Sequence, residues 1–378
     1  ATMDAGPVAE FLGVPVFQTP GRSFPVHLEH AQGSLPALVR AHRAQEGHTL
    51  VFLPGVREID ELARALSDLS PLPLHGRLDG PTQDRALAPS SRPKLVLSTN
   101  IAETSVTLDG VRQVIDTGLA RVPRFDPAAQ VDRLETLRIS RASADQRAGR
   151  AGRTGPGRCL RVWSDKERLR DFEEPEVRRV DLASAALQLL AWGVDPLTFG
   201  WFEAPSPGPL QVATELVRGL GDPQLLARFP LHPRQAAALV SAHRAGCVEA
   251  MDWLSEGDGR VRSQLRRLGV QHLGPWRQSG SDVGGADVGE ALRPGFFDRV
   301  GLRRGRSQRY QLSGGQGAVL GEPGPELLLA LELSGGQAEH RIRRWVPLES
   351  VPTTSHSVTR WEHGRAWSGV EERYGALV

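Results

Sequence analysis

Lysine is nearly missing from this chain. Lys94 and Lys166 are its only two, although lysine and arginine together number 46. Neither closes a glycine-rich loop, so no Gly-Lys-Thr or Gly-Lys-Ser phosphate cradle lies in these 378 residues. That tells against a self-contained nucleotide-binding protein. Cysteine is as scarce. Cys159 and Cys247 make neither a disulfide framework nor a zinc motif, which fits a reducing cytoplasm. The histidines are scattered and form no metal set. No apolar run is long enough to span a bilayer, so no membrane role is expected. The N-terminal Ala-Thr-Met-Asp lacks the charged and apolar regions of a signal peptide, and no Met stands at position 1. The expectation is a piece of a longer chain. Net charge is only +2, so nucleic-acid binding would have to come from local basic patches.

What is present is an ordinary globular composition, 39% hydrophobic and 24% charged, long enough for two or three domains. Residues 1–20 read as a turn and a brief strand at Val14–Phe17. Strands are expected at Val26–Glu29, Thr49–Leu53, Pro73–His75, Lys94–Ser98, Val111–Asp116 and Arg158–Trp163, with Thr49–Leu53 and Lys94–Ser98 buried. Helices are expected at Leu35–Gln45, Arg57–Leu69 and Gln83–Leu87; the second carries Ile59, Leu62, Ala63 and Leu66 on one face. Strands alternating with helices mean an α/β fold with a mostly parallel sheet. Gly118–Ser140 interrupts this: Val122–Phe125 and Val131–Ile139 can pair as a protruding β-hairpin that carries Arg121, Arg124, Arg133 and Arg138.

After Pro175 the pattern turns helical, with segments at Leu182–Trp192, Gln211–Leu220 and Pro233–Ala245. From Gly274 glycine becomes dense (Gly280, Gly284, Gly285, Gly289), which reads as a flexible linker. The last hundred or so residues alternate in short segments, Arg309–Leu312, Glu326–Leu333, Ile342–Trp345, Ser357–Trp361 and Ala366–Tyr374. They suggest a β-rich domain of barrel or sandwich type.

Ser143–Arg153 is the most informative stretch. Arg147, Arg150 and Arg153 recur every third residue, with Ala148, Gly149, Ala151 and Gly152 between them. Such spacing keeps guanidinium groups near one helix face, suited to bidentate recognition of phosphate, while a solvated basic face is the plainer reading of the run alone. Three further pieces precede it: the turn Leu53-Pro54-Gly55, the loop from Ser98 with Asp109-Gly110 after it, and the hairpin. Ligand groups in parallel sheets gather at the C-terminal ends of strands, so all four pieces are expected there or next to them, able to face one site.

In that order, the pieces resemble the helicase motifs of the DEAH-box family. Ser98–Gly110, Ser-Thr-Asn-Ile-Ala-Glu-Thr-Ser-Val-Thr-Leu-Asp-Gly, is similar to motif V; Gln146–Arg153 to motif VI; Phe52–Gly55 to motif IV; and Ala1–Asp4 to the tail of motif III. Within the family the chain resembles the bacterial HrpB type. The supporting strings are Pro230–Arg234, Gly295–Val300, Arg341–Arg343 and Gly375–Val378. The fold this implies is a RecA-like parallel sheet domain, then a small helical region like a winged helix and ratchet, then a β-rich C-terminal domain. The divisions are expected at 1–19, 20–166, 167–273 and 274–378.

The resemblance also implies roles. Arg153 matches the arginine finger, Arg150 a second phosphate contact, and Gln146 a residue orienting the attacking water. Thr107 and Asp109 match the ribose-binding pair, and Ser105 lies between the two ligands. Gly55, Thr99 and Asn100 match contacts to the nucleic-acid backbone, with Arg121 and Arg124 on the strand-separating hairpin. Implied ligands are ATP with Mg2+ and RNA, or else DNA. No Asp-Glu-Ala-His occurs here, so the magnesium ligands and the catalytic carboxylate are expected on a first RecA-like domain that this sequence does not include. By itself the chain is expected not to hydrolyse ATP. Leu87 stands where many relatives place a phenylalanine against the base. The alternative is a non-catalytic RNA-binding or regulatory remnant.

Other basic and aromatic features have plainer readings. Arg260, Arg262, Arg266 and Arg267 read as a solvated helix face. Arg303, Arg304, Arg306 and Arg309 could bind RNA phosphates. Trp345, Trp361 and Trp367 read as core residues rather than base-stacking platforms, and His232 as structural.

Overall fold

A computed structural model of the chain describes residues 5–17, 19, 24–104, 106–126, 131–274, 287–335, 340–362 and 365–377, with backbone alone at 132 and 357–371. Ala1–Asp4, Ser105 and the glycines 280, 284 and 285 fall outside the described residues, as do the side chains of Trp361 and Trp367. The chain divides into two compact units. One comprises residues 1–123 and 134–175; the other, 124–133 and 176–378.

The first unit is built on six parallel strands in the order β1-β8-β5-β2-β4-β3. These are β1 (Val26–His30), β2 (His48–Phe52), β3 (Leu72–Leu74), β4 (Leu95–Ser98), β5 (Val111–Asp116) and β8 (Gly157–Arg161). β2 and β4 are buried along their whole length, as continuous apolar runs covered on both faces require. Helix α1 is Ala5–Leu12; then come α2 (Leu35–His42), α3 (Val56–Ala65), α4 (Gly80–Leu87) and the single turn α5 (Ile101–Thr104). α3 buries Ile59 and Leu62, each worth roughly 1.5–3 kcal/mol against exposure. The hairpin strands β6 (Leu119–Asp126) and β7 (Val131–Arg138) pair only with each other. Helix α6 (Arg141–Gly149) follows, N-capped by Ser140 Oγ, which accepts from Ser143 N at 3.1 Å.

Two local expectations fail. Val14–Phe17 forms no strand: its apolar residues are exposed, Val14 N bonds back to the Ala9 carbonyl at 3.0 Å, and the order before them is the helix α1. Gly289 belongs to no linker but lies buried in a helix, where a Cβ would meet Leu348 and the Pro347 carbonyl.

The second unit joins helices to a barrel through one core. Helices α7 (Ala183–Ala191), α8 (Pro207–Leu220), α9 (Pro223–Leu226), α10 (Pro233–Ala245), α11 (Ala250–Leu254), α12 (Gly259–Leu273) and α13 (Val288–Leu292) precede β9 (Val300–Arg303), β10 (Arg309–Leu312), β11 (Gly317–Leu320), β12 (Leu327–Ser334) and β13 (His340–Pro347). These five strands close as β10-β11-β13-β12-β9, so the barrel form is the one adopted. A bulge between Ala330 and Leu333 bends β12. The hairpin β14 (Thr354–Glu362) and β15 (Arg365–Arg373) stands apart from it. α10 is buried nearly all round, and its run of alanines lets neighbouring helices close on it. Val300, Leu329 and Val346 of the barrel share a hydrophobic cluster with Ala186, Val217 and Leu239 of the helices.

The tip of the first hairpin packs in this second unit. Val131 is 4% exposed, among Tyr310, Leu320 and Ile342 of the barrel interior. Phe125 N donates to the Arg179 carbonyl at 2.6 Å. Arg133 pairs with Asp126 at 2.6 Å and lies so close to Gly335 that a Cβ there would meet its guanidinium arm.

His232 is structural, as its place before a proline suggests. It bonds Asp181 at 2.9 Å and accepts from Arg234 N, capping α10. Arg262 pairs with Asp252 at 2.8 Å, and Arg260, Arg266 and Arg267 lie on the exposed face of α12. No helix among the described residues is long and apolar enough to cross a membrane.

Candidate functional site

The sequence places motif-like residues at both ends of one crossover. β4 and β5 are parallel, and a parallel connection has to return the chain to the opposite edge of the sheet. Residues 99–110 make that return. Thr99 and Asn100 therefore stand at the C-terminal end of β4, whereas Thr107 and Asp109 stand before the N-terminal end of β5. Arg153 likewise precedes β8. The expectation of one gathering at the C-terminal strand ends is thus corrected. Gly55, Thr99 and Asn100 meet it; Thr107, Asp109 and Arg153 lie at the other edge.

At the C-terminal edge, Gly55 follows β2 and begins α3. A Cβ here would lie 2.9 Å from both the Arg121 guanidinium and Glu58 Oε2, so these side chains would have to shift to admit one. Arg121 pairs with Glu58 at 3.3 Å, which fixes it beneath this turn. Asn100 is exposed, and Thr99 N is bonded back to the Leu74 carbonyl. Arg124 lies on β6, in the part of the hairpin that belongs to the second unit.

At the N-terminal edge, Arg153 is exposed and donates from Nη1 to Thr107 Oγ1 at 3.2 Å. Asp109 is exposed two residues further on. A cation, a hydroxyl and a carboxylate thus face solvent together, a set able to take a sugar hydroxyl and a phosphate. Gln146 is half-buried on α6.

The arginine run does not present one face. α6 ends at Gly149, and a tight 3-10 turn over Arg150–Gly152 gives each arginine a different environment. Three of the small residues between them admit the sheet: Ala148 and Ala151 are buried, and a Cβ at Gly152 would lie 2.6 Å from the Phe24 carbonyl, whereas Gly149 is exposed with open space around it. This draws Arg147 and Arg150 inward. Arg150 Nη1 donates to the Val106 carbonyl at 2.7 Å, and its Nη2 donates to the Glu103 carbonyl. Burial, then the neighbouring Arg153 charge, pushes its pKa down to about 10, so it remains charged at neutral pH.

Arg147 is the residue that sequence reasoning passed over. It is 1% exposed. Its Nε donates to Glu103 Oε2 and its Nη1 to Asp116 Oδ1, both at 2.9 Å, and Nη1 also reaches the Leu119 carbonyl at 3.2 Å. The guanidinium lies 4.8 Å over the Phe52 ring. Burial works against its charge, but Asp116 and Glu103 more than offset that, and its pKa lies above the ordinary arginine value. The signal available was its place in the run; its partners lie too far away in sequence to be read from it.

Comparison with known proteins shows what this chain is similar to. Residues 32–155 match the model of the helicase conserved C-terminal domain. The chain is 35% identical over 364 residues to the ATP-dependent RNA helicase HrpB of Escherichia coli K12, covering 85% of this chain and 45% of that one. It is 38% identical over 243 residues to the probable ATP-dependent RNA helicase DHX34 of Homo sapiens, covering 56% and 21%. A crystal structure of the E. coli DExH-box NTPase HrpB superimposes with a TM-score of 0.81 at 31% identity, over all of this chain and 54% of that one. The sheet and its two-edged motif loop define a RecA-like helicase C-terminal domain. The chain is similar to the C-terminal part of DEAH-box helicases of the HrpB type. It spans less than half the length of the curated relatives it matches.

Proposed function

We propose that this chain is the C-terminal half of an ATP-dependent DEAH-box RNA helicase that couples ATP hydrolysis to translocation along the nucleic acid and to unwinding. The observation that carries the reading is the contact of Arg153 with Thr107 beside the exposed Asp109. Arg153 serves as the arginine finger, Arg150 as a second phosphate contact through its remaining N–H groups, and Gln146 as the residue orienting water. Thr107 and Asp109 hold the ribose, and Ser105 lies between the ligands. Gly55, Thr99, Asn100, Arg121 and Arg124 contact the nucleic acid. The phosphate cradle, the magnesium ligands and the catalytic carboxylate come from a first RecA-like domain. Residues 20–166 form the second such domain, 167–273 a winged-helix and reduced helical region, and 274–378 the C-terminal β-rich domain. The cytoplasm is the proposed compartment.

Phosphoryl transfer leaves the protein mainly to position groups and neutralise charge, which is why half a site hydrolyses nothing alone. The test is steady-state ATP hydrolysis with and without RNA. Residues 1–378 alone give no turnover above background, and the protein carrying the P-loop domain as well gives RNA-stimulated turnover. Hydrolysis by 1–378 alone would end the half-site reading. RNA binding without hydrolysis in the longer protein would put the non-catalytic reading in its place.

A further inference from the structure

The segment 99–110 has a proposed nucleic-acid contact at one end and a proposed nucleotide contact at the other. Glu103 sits between them, in the single turn α5. Its carboxylate grips α6 with both oxygens: Oε1 accepts from Ser143 Oγ at 2.7 Å, and Oε2 from Arg147 Nε at 2.9 Å. Its own carbonyl accepts from Arg150. One residue of the crossover is thus bonded to three residues of the segment that ends in Arg153.

Arg147 carries the connection further. Through Asp116 it holds the C-terminal end of β5, and Asp116 Oδ1 also accepts from Gly118 N at 2.8 Å. Through the Leu119 carbonyl it holds the root of the hairpin, and through Phe52 the end of β2, just before Gly55. A buried, charge-assisted network of this kind cannot stretch gradually, because each lost bond leaves a charge unpaired at low dielectric. Separating the elements it ties therefore costs more than stretching any one contact.

We infer that the Glu103–Arg147 pair is the link through which the nucleotide edge and the nucleic-acid edge of this domain respond to each other. Both are positioning residues, and neither touches a ligand. The inference rests on the proposed helicase reading. Its test uses the full-length protein with the P-loop domain, measuring ATP turnover with and without RNA and RNA affinity separately. Glu103→Gln keeps the backbone carbonyl that Arg150 uses but removes the charge opposite Arg147. Its basal turnover and its KM for ATP stay within about twofold of wild type, while stimulation by RNA falls about tenfold. Ser143→Ala, which removes one of the two side-chain grips, gives a smaller loss of the same kind. Arg147→Lys restores a charge without the three-way geometry and remains poorly stimulated. A proportional fall of basal and stimulated turnover, tracking a lowered melting temperature, would overturn the inference, since a purely structural role gives that result. So would full stimulation in Glu103→Gln. If the wild-type protein shows no ATP turnover, the helicase reading fails rather than the link.

Discussion

Arg234 grips both carboxylate oxygens of Asp298, at 2.6 and 2.7 Å, across 64 residues of sequence. The pair joins two of the strings that drew attention to the HrpB type, and both side chains are largely buried. Arg234 Nη1 also reaches the Gly295 carbonyl, where a Cβ would collide with the Arg234 backbone. Removing Asp298 leaves the buried Arg234 guanidinium without the carboxylate that balances its charge. Asp298→Ala should therefore lower the stability of the second unit by about 3–5 kcal/mol, read by denaturant unfolding.

The same pair sets an acid limb. Burial alone would raise the Asp298 carboxyl, but the paired bonds from Arg234, and then its charge, hold it below the usual carboxylate range. The unfolded chain therefore takes up this proton first, near pH ~3.9. The stabilising contribution is complete above that value and disappears as pH falls through the lower, folded value. Unfolding followed between pH 5 and pH 2 should lose stability more steeply in the wild type than in Asp298→Asn, which has no proton to gain there. Parallel slopes would show that Asp298 does not set the limb.

On the proposed helicase reading, Arg153→Ala should lower RNA-stimulated ATP turnover of the protein that carries the P-loop domain by roughly 10³-fold or more. RNA affinity should change by less than about twofold, because Arg153 lies at the edge of the sheet opposite Gly55 and Asn100. A turnover that survives would remove Arg153 from the catalytic set.

Gly118 links β5 to the hairpin at a φ of 70°, with Trp163 where a side chain would go; a Cβ would lie 2.7 Å from the indole. Gly118→Ala combines the left-handed cost of about 1–2 kcal/mol with overpacking of about 1–3 kcal/mol. Gly13 has a φ of 65° and nothing near it, so Gly13→Ala should show the first effect alone. Melting temperatures of the two variants separate the contributions.

Local pattern was enough for several elements. Val111–Asp116 and Pro233–Ala245 were legible to the residue, because a bounded apolar run and a proline-started alanine helix carry their own ends. The hairpin was legible as a hairpin but begins earlier, at Leu119, since pairing with β7 extends β6 beyond Val122–Phe125. α1 was not legible: it buries nothing, so no one-sided periodicity marks it. At the candidate site, residue identity and order gave the motif positions. The division between two edges could have been read from the parallel crossover alone. The burial of Arg147 could not, since it depends on Glu103 and Asp116 meeting there only once the sheet has formed.

The hairpin has its root in one unit and its tip in the core of the other. No single cut in the sequence therefore separates the two. A chimera that exchanges residues 176–378 between two relatives at Pro175 would fit each new barrel with the wrong Val131 and Phe125. Recombination that keeps both cores intact has to carry residues 124–133 along, so this short stretch should travel with the barrel in sequence rather than with the sheet domain that surrounds it.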